Sequence, residues 1–422
     1  MTVFFNTFSR KDIFLNLTSL FVALTILSMT LTTPFEIRSI FFGLSLLSLL
    51  MLKGSLNLLK KISTKYLSYL IFISICFLSF LIFNDASFSQ KNYPQIENLV
   101  IFFIFFILLN QIQHHYWLIS KYCIYTLVLF LSFSIPLHFF FLESSMLSAT
   151  AFISNFEDES YSNKNILGLY LALLFPILIF QLSKKINFIN LYSLFIFATG
   201  IFYTFSRSAL IIAFVSLFLC LLSFERKLAV TALIISSTIA FTLWIFEITP
   251  QKYNEMKIRT NIEYFNSESF DEKNSYKSFS PEGARFGYLR RSYEGFLQKP
   301  IFGNGFASFR RNNPIYDDKG TYIRSPVTHN DFAQIIYELG LIGLISFCFM
   351  IFFNFKSLMS TIRKSESKVK FVQLVILILA INSINLIDHI IFWFIIALTL
   401  NNFSKSKLSE SDNVYGKNNS IY

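Results

Sequence analysis

The residues of this sequence that could carry out chemistry are a histidine, two arginines and an aspartate: His329, Arg207, Arg285 and Asp388. Because an imidazole titrates near neutral pH, His329 could accept a proton from a hydroxyl group and act as a general base. Arginine carries a planar fork of N–H donors that stays charged and fits a pyrophosphate better than lysine does. Asp388 could hold an arginine or a histidine in place.

Each of these residues also has an ordinary structural interpretation. His329 precedes an apolar run and could be a helix-start histidine, and Arg207 could anchor a helix at a membrane boundary. Arg285, Arg290 and Arg291 fall on one predicted helix, where about 100° per residue prevents all three from sharing a face. One of them could bind a ligand while the others are surface charges.

Three asparagines could support such a site. Asn330 follows His329 directly, and Asn163 and Asn165 open the predicted sixth apolar run, with Lys164 between them. These amides could donate hydrogen bonds to a substrate. For Asn163, the sequence favours the more ordinary role of a helix N-cap.

The composition predicts an all-α polytopic membrane protein. The chain has 422 residues, of which 54% are hydrophobic and 14% are charged. Apolar runs of roughly 17 to 25 residues recur along it, each long enough to cross a hydrocarbon core of about 30 Å, and we count about twelve. The net charge of +11 comes from Lys and Arg in short loops between the runs, so it indicates topology rather than nucleic-acid binding.

The loop charges also predict how the chain is oriented. Lys and Arg concentrate in every second loop, which is the positive-inside pattern, and this places one large, mainly helical loop outside the cytoplasm. The predicted domains are transmembrane helices 1–9 over 1–246, that loop over 247–332, transmembrane helices 10–12 over 333–403 and a cytoplasmic tail over 404–422. Arg207, Arg285, His329 and Asp388 come from four separate segments, yet this topology puts all of them on the outer side.

The large loop has local signals of its own. Residues Ala284–Leu297 have helical spacing, and the helix should end before Lys299, which precedes Pro300. Gly303 and Gly305 then predict a tight turn. We expect no metal and no cofactor, because the four cysteines are scattered singly and no acidic pair with metal-ligand spacing or Gly-rich phosphate loop is present.

Several short motifs together resemble those of bacterial O-antigen ligases and the related O-antigen polymerases. The stretch Thr204–Arg207 reads TFSR and is similar to the Ser-Arg motif that opens a helix in this family. Arg285 followed by Pro300–Phe306, PIFGNGF, resembles the family's loop arginine and its proline-glycine turn. His329–Asn330 followed by Glu338–Gly343, ELGLIG, is similar to the family's histidine signature.

The resemblance extends from Asn163, whose NKN triplet also recurs in the family, to Asp388. It implies a membrane-embedded glycosyltransferase of the GT-C type that needs no metal, with a glycan on undecaprenyl pyrophosphate as donor. Ligases transfer that glycan to lipid A-core on the periplasmic side of the bacterial inner membrane. By the same resemblance, His329 would be the base, Arg207 and Arg285 would bind the pyrophosphate, and Asp388 would support them.

Two other functions stay open. An O-antigen or capsule polymerase would share donor and chemistry but use a second lipid-linked glycan as acceptor; we favour the ligase on chain length and the placement of the four residues. A polysaccharide transporter or flippase without catalysis is expected to carry ionisable groups near the middle of the bilayer. The apolar runs hold almost none, so we regard this function as the least favoured.

The orientation gives a first testable prediction. Because of the lysine asymmetry, a cysteine at Ser278 in the large loop should react with a membrane-impermeant thiol reagent added to intact spheroplasts. A cysteine at Ser411 in the tail should react only after the membrane is opened. Labelling of both positions from outside would contradict the predicted topology.

Overall fold

The structure is a computed structural model in which the chain is almost entirely helical over the residues it describes. Those residues are 10–30, 40–48, 67–83, 93–111, 116–141, 161–204, 206–223, 281–313, 315–316, 322–324, 328–383, 385–387 and 389–399. Predictions that fall on 224–280 and 400–422, such as the ninth span and the tail, lie outside these ranges.

The described helices are, in chain order, α1 (Arg10–Thr30), α2 (40–48), α3 (Leu67–Phe83), α4 (Tyr93–Gln111), α5 (Tyr116–Phe141), α6 (Tyr161–Lys184), α7 (Phe188–Tyr203), α8 (Arg207–Ser223), α9 (Pro281–Gln298), α10 (Ser308–Asn312), α11 (Asp331–Met359), α12 (Ser365–Ala380) and α13 (Ile390–Thr399). A short antiparallel pair, β1 (Ile315–Tyr316) and β2 (Tyr322–Arg324), lies between α10 and α11. This strand pair was not predicted from the sequence.

Three of the described helices are long and apolar enough to cross a membrane. They contain the segments Trp117–Ile135 in α5, Ile166–Lys184 in α6 and Asp331–Met359, which is α11. Other described helices are apolar but shorter, such as Leu67–Phe83. These helices agree with the predicted polytopic membrane protein, while the count of about twelve spans and the domain boundaries stay predictions.

Helix α6 lies at the centre of the bundle. All residues from 166 to 180 are buried, as expected of a helix that is hydrophobic on every side. It packs against α7, α8 and α12. The buried side-chain amide of Gln373 in α12 donates a hydrogen bond to the carbonyl oxygen of Leu173 in α6 (3.1 Å). This polar side chain therefore has a partner inside the apolar contact.

Helices α6 and α8 begin at the same end of the bundle. Gly168, near the start of α6, approaches the start of α8 so closely that a Cβ atom there would lie 2.8 Å from Cβ of Ala209. At the other end, Nζ of Lys368 in α12 donates to the carbonyl oxygen of Ser223, the last residue of α8 (3.4 Å). Helix α12 therefore runs antiparallel to α8. We call the end where α6 and α8 begin and α12 finishes the site end.

Helix α11 begins at the site end and is kinked at Gly340, which has φ 61° and ψ −157°. In a regular helix the carbonyl oxygens of Tyr337 and Glu338 would accept hydrogen bonds from amides four residues later. Here they accept instead from the loop turn that follows α9: the amide of Asn304 donates to Tyr337 (2.9 Å) and that of Gly305 donates to Glu338 (2.8 Å).

The amides that the kink releases are also satisfied by this turn. Leu341 donates to the carbonyl oxygen of Pro300 (2.9 Å), and Ile342 donates to that of Ile301 (3.2 Å). Two helical hydrogen bonds are thus exchanged for four bonds to the turn 300–305. Because unpaired backbone groups are costly away from water, the kink and the turn stabilise each other.

We call the contact between the kink of α11 and the turn 300–305 the joint. This contact is so close that it requires glycine on both sides. A Cβ atom at Gly303 would lie 2.4 Å from the carbonyl carbon of Glu338, and one at Gly340 would lie 2.5 Å from the carbonyl oxygen of Ile301. Gly303 also has φ 71°. The predicted loop helix, ending before Lys299, and the predicted glycine turn are both confirmed.

We expect Gly340→Ala to destabilise the protein, because alanine is strained at this backbone conformation by about 1–3 kcal/mol and its Cβ would meet Ile301. Gly43→Ala in α2 is the matched control, since nothing lies within 4 Å of a Cβ there. The measurement is the thermal unfolding midpoint of each purified variant in detergent. Equal midpoints for the two variants would contradict the role of the joint.

Candidate active site

His329 lies in the short segment before α11 and has a positive φ of 55°. Residues other than glycine rarely adopt this left-handed conformation, so neighbouring bonds must hold it. The buried Thr328 does so, because its hydroxyl donates to the carbonyl oxygen of Asn330 (2.8 Å) and accepts from the Asn330 amide (3.3 Å). His329 is half-buried and is presented on a fixed turn at the site end.

Asn330 is the N-cap of α11. Its backbone is extended and its Oδ1 accepts from the amide of Ala333 (3.0 Å), which is the ordinary pattern of an N-cap. Its Nδ2 donates to the carbonyl oxygen of Asn382 (3.3 Å), beyond the end of α12. The side chain of Asn330 therefore has a structural role that fixes the residue after His329.

Asp331 joins the start of α11 to the turn between α12 and α13. The residue is buried, and its carboxylate accepts from the amides of Leu386 (2.9 Å) and Ile387 (3.2 Å). Its own amide donates to the carbonyl oxygen of Ile381 (2.9 Å). A buried carboxylate is stable only when such donors surround it, so Asp331 and this turn require each other.

A chain of buried amides continues from this contact along α11. Nδ2 of Asn385 donates to Oγ1 of Thr328 (3.1 Å) and to the side-chain oxygen of Gln334. Nε2 of Gln334 in turn donates to a carboxylate oxygen of Glu338 (3.3 Å). The segment that carries His329 is thereby linked to the kink in α11 through side chains that are all buried.

Glu338 holds the start of α10. Its two carboxylate oxygens accept from the amides of Ala307 (3.0 Å) and Phe309 (3.2 Å), and Ala307 has no capping side chain of its own. A carboxylate at a helix start also interacts favourably with the helix dipole. The glutamate of the ELGLIG stretch is therefore bonded to the protein's own loop.

A small cavity lies between these groups. It is lined by Phe72, Phe306, Asp331, Gln334, Ile335, Glu338, Leu339 and Ile387. Its polar walls are two carboxylates and an amide, each already hydrogen-bonded within the protein. The polar groups that line the cavity therefore already hold parts of the protein together.

Arg207 is the first residue of α8, as the sequence predicted. The buried Ser206 precedes it, and its Oγ accepts from the amide of Ala209 (3.4 Å). Helix α6 begins at Tyr161, so Asn163 and Asn165 lie in its first turns and the N-cap interpretation of Asn163 is wrong. Arg207, Asn163 and Asn165 thus belong to helix starts at the site end, where the dipoles favour anions.

Arg285 lies near the start of α9, which packs along the first half of α11. The side chains of Arg285, Arg207, Asn163 and Asn165 lie outside what the structure describes. Nε of Arg290 donates to Glu294 (2.8 Å) in an exposed pair, which agrees with a surface role for Arg290, and Arg291 is half-buried.

Asp388 lies outside the described residues, although its neighbours Ile387 and His389 are described. The turn around it is well anchored, since the indole N–H of the buried Trp393 donates to the carbonyl oxygen of Ile387 (3.0 Å). Within the described ranges, no three His, Cys, Asp or Glu side chains come together as metal ligands would.

Asp331, Gln334, Glu338 and Asn385 form a connected group that was not predicted from the sequence. A signal was present for the three on α11, which recur at intervals of three and four residues in an otherwise apolar run and so share one helix face. Asn385 gave no such signal, because its partners are 57 and 51 residues away.

Comparison with known proteins places this region in a family. Residues 192–348 match the family model described as O-Antigen ligase. The matched segment includes Arg207, Arg285 and His329 and ends before Asp388. No curated protein matches the chain.

We expect Asp331→Asn to lower the free energy of unfolding by about 1–3 kcal/mol, because the amide presents N–H donors to backbone donors and leaves one of them unsatisfied. Glu294→Gln is the matched carboxylate-to-amide control, and losing its exposed pair should cost at most about 1 kcal/mol. Thermal unfolding in detergent measures both. Equal loss in the two variants would show that Asp331 does not hold the turn.

Proposed function

Since this chain belongs to the O-antigen ligase and polymerase superfamily, we propose that it transfers a glycan from undecaprenyl pyrophosphate to lipid A-core. The reaction would take place on the periplasmic side of the bacterial inner membrane. The observation that carries the proposal is the placement of His329 in a left-handed turn, directly before a helix long enough to cross the membrane.

In the proposed reaction, the acceptor hydroxyl attacks the anomeric carbon of the donor sugar. A new C–O bond forms while the bond from that carbon to the pyrophosphate oxygen breaks, and undecaprenyl pyrophosphate leaves with its electron pair. His329 takes the proton of the hydroxyl as general base. His329 is half-buried, and this supports the role because part of the residue stays accessible to a substrate.

Positive charge for the leaving group would come from Arg207 and Arg285. Planar guanidinium groups can bind pyrophosphate oxygens in pairs, and bonds that strengthen as charge develops lower the barrier. The start of α8, where Arg207 lies, adds the amide dipoles of a helix N-terminus. Arg285 lies on α9, and the packing of α9 against α11 supports including it in this proposal.

The supporting residues would act through these groups. Asn330 fixes the residue after His329 through its cap, and Asp388 would orient an arginine or a histidine from a turn that Asp331 anchors. Asn163 and Asn165 lie in the first turns of α6 and would donate hydrogen bonds to the donor. No metal or other cofactor takes part in this proposal.

The test is glycan transfer by the purified protein in proteoliposomes, with a lipid-linked glycan as donor and with lipid A-core or a second lipid-linked glycan as acceptor. Product on lipid A-core supports the ligase. Product only on the second lipid-linked glycan would identify a polymerase. No product with either acceptor, from protein that still moves the donor across the bilayer, would identify a transporter.

We expect His329→Ala and His329→Gln to lower the transfer rate by about 10²–10⁴, the usual cost of removing a general base. Donor binding and the amount of inserted protein should stay unchanged. His114→Ala, on the predicted cytoplasmic side, is the control. If either His329 variant keeps more than about a tenth of the wild-type rate, well above that loss, another group activates the acceptor.

A further inference from the structure

Helix α9 carries an exposed apolar stripe made of Leu289, Tyr293 and Leu297. Residues four apart lie on nearly the same face of a helix. Tyr293 is 60% exposed and Leu297 is 57% exposed, and Leu289 is also exposed. Large apolar side chains in a row are unusual on a surface that faces water.

The apolar stripe is separate from the faces of α9 that have protein partners. Tyr288, Ser292 and Gly295 are buried, and a Cβ at Gly295 would collide with the ring of Tyr337 in α11. On the other side of the stripe, the exposed Arg290 and Glu294 form an ion pair. Helix α9 thus has a packed face, a charged face and, between them, the apolar stripe.

The apolar stripe continues into the turn after α9. Ile301 and Phe302 are exposed, Phe302 by 60%, and the backbone of this turn is hydrogen-bonded to α11 at Leu341 and Ile342. The side chain of Lys299 lies over the ring of Phe83, the last residue of α3 (5.4 Å to the ring centre). The turn therefore lies at the level where an apolar helix ends.

The same surface extends along α11, a helix long enough to cross the membrane. Leu341 and Ile342 are exposed, and Ile345, Phe349 and Phe352 follow at helical spacing, with Ile345 65% exposed. This side of α11 is where lipid chains would lie around a membrane span. Exposed apolar side chains thus occur on a membrane helix, on the turn that is bonded to this helix and on the apolar stripe.

The charge of this region suits a lipid surface. Residues 281–312 contain six Lys and Arg residues and two Glu residues. Amphipathic helices that lie in a membrane interface combine an apolar face with basic residues near the headgroups. Anionic headgroups would complement this excess of positive charge.

We propose that the apolar stripe is a membrane-binding surface, with α9 lying in the interface of the leaflet at the site end and its stripe among the lipid acyl chains. The four backbone bonds between the turn and α11 would fix this position. The proposal concerns contact with the bilayer and does not depend on the transfer reaction. If both hold, α9 keeps Arg285 near the headgroup level, where a lipid-borne pyrophosphate would lie.

The experiment places spin labels on the full chain in nanodiscs that contain anionic lipid. The four native cysteines are first replaced by alanine. Labels are then attached singly through Tyr293→Cys and Leu297→Cys in the apolar stripe, or through Arg290→Cys and Glu294→Cys on the charged face as matched controls. Molecular oxygen, which concentrates in acyl chains, and a water-soluble nickel chelate are used as relaxation agents.

We expect the ratio of oxygen to nickel accessibility to be higher at both stripe positions than at both control positions. Similar ratios at all four positions would mean that the apolar stripe faces water. Low accessibility to both agents at the stripe alone would mean that protein covers it, either another segment of this chain or a second copy. Either outcome overturns the proposal.

Discussion

The arrangement of the site end depends on the exchange of backbone hydrogen bonds at Gly340. Once α11 breaks there, two carbonyl groups and two amides lose their helical partners, and the turn 300–305 satisfies all four. If the turn moved away, four backbone groups would be left unpaired beside an apolar bundle, each at a cost comparable to a lost hydrogen bond. The loop helix α9 is therefore joined to a membrane helix by main-chain bonds, which do not depend on the identity of most side chains.

Two buried carboxylates in the part of α11 before the kink bind further loops. Asp331 binds the turn before α13, and Glu338, seven residues later on nearly the same face, binds the start of α10. Each accepts hydrogen bonds from backbone amides and so holds a loop in place. The proposed chemistry is therefore assigned to His329 and the arginines.

Local features could be predicted from the sequence because they depend on neighbouring residues. The end of α9 before Lys299, the glycine turn and the start of α8 at Arg207 follow from proline, glycine and the change from polar to apolar residues. The partners of Asp331 and Glu338 could not be predicted, since they lie 55 and about 30 residues away and no periodicity links them. For the same reason, the family motif around Glu338 could suggest a site but not show that this glutamate holds a loop.

The position of His329 follows from these long-range contacts more than from its own helix. A left-handed histidine costs free energy and persists only where its surroundings fix it. Those surroundings are Thr328 and Asn330, and both are bonded to the segment after α12, through Asn385 and Asn382. That segment leads directly to Asp388 and α13. A change that loosens the turn after α12 would therefore move His329 and the neighbourhood of Asp388 together, although the two residues belong to separate parts of the sequence. A single rigid unit of this kind would keep the proposed base, His329, in register with its proposed supporting carboxylate, Asp388, during the proposed transfer.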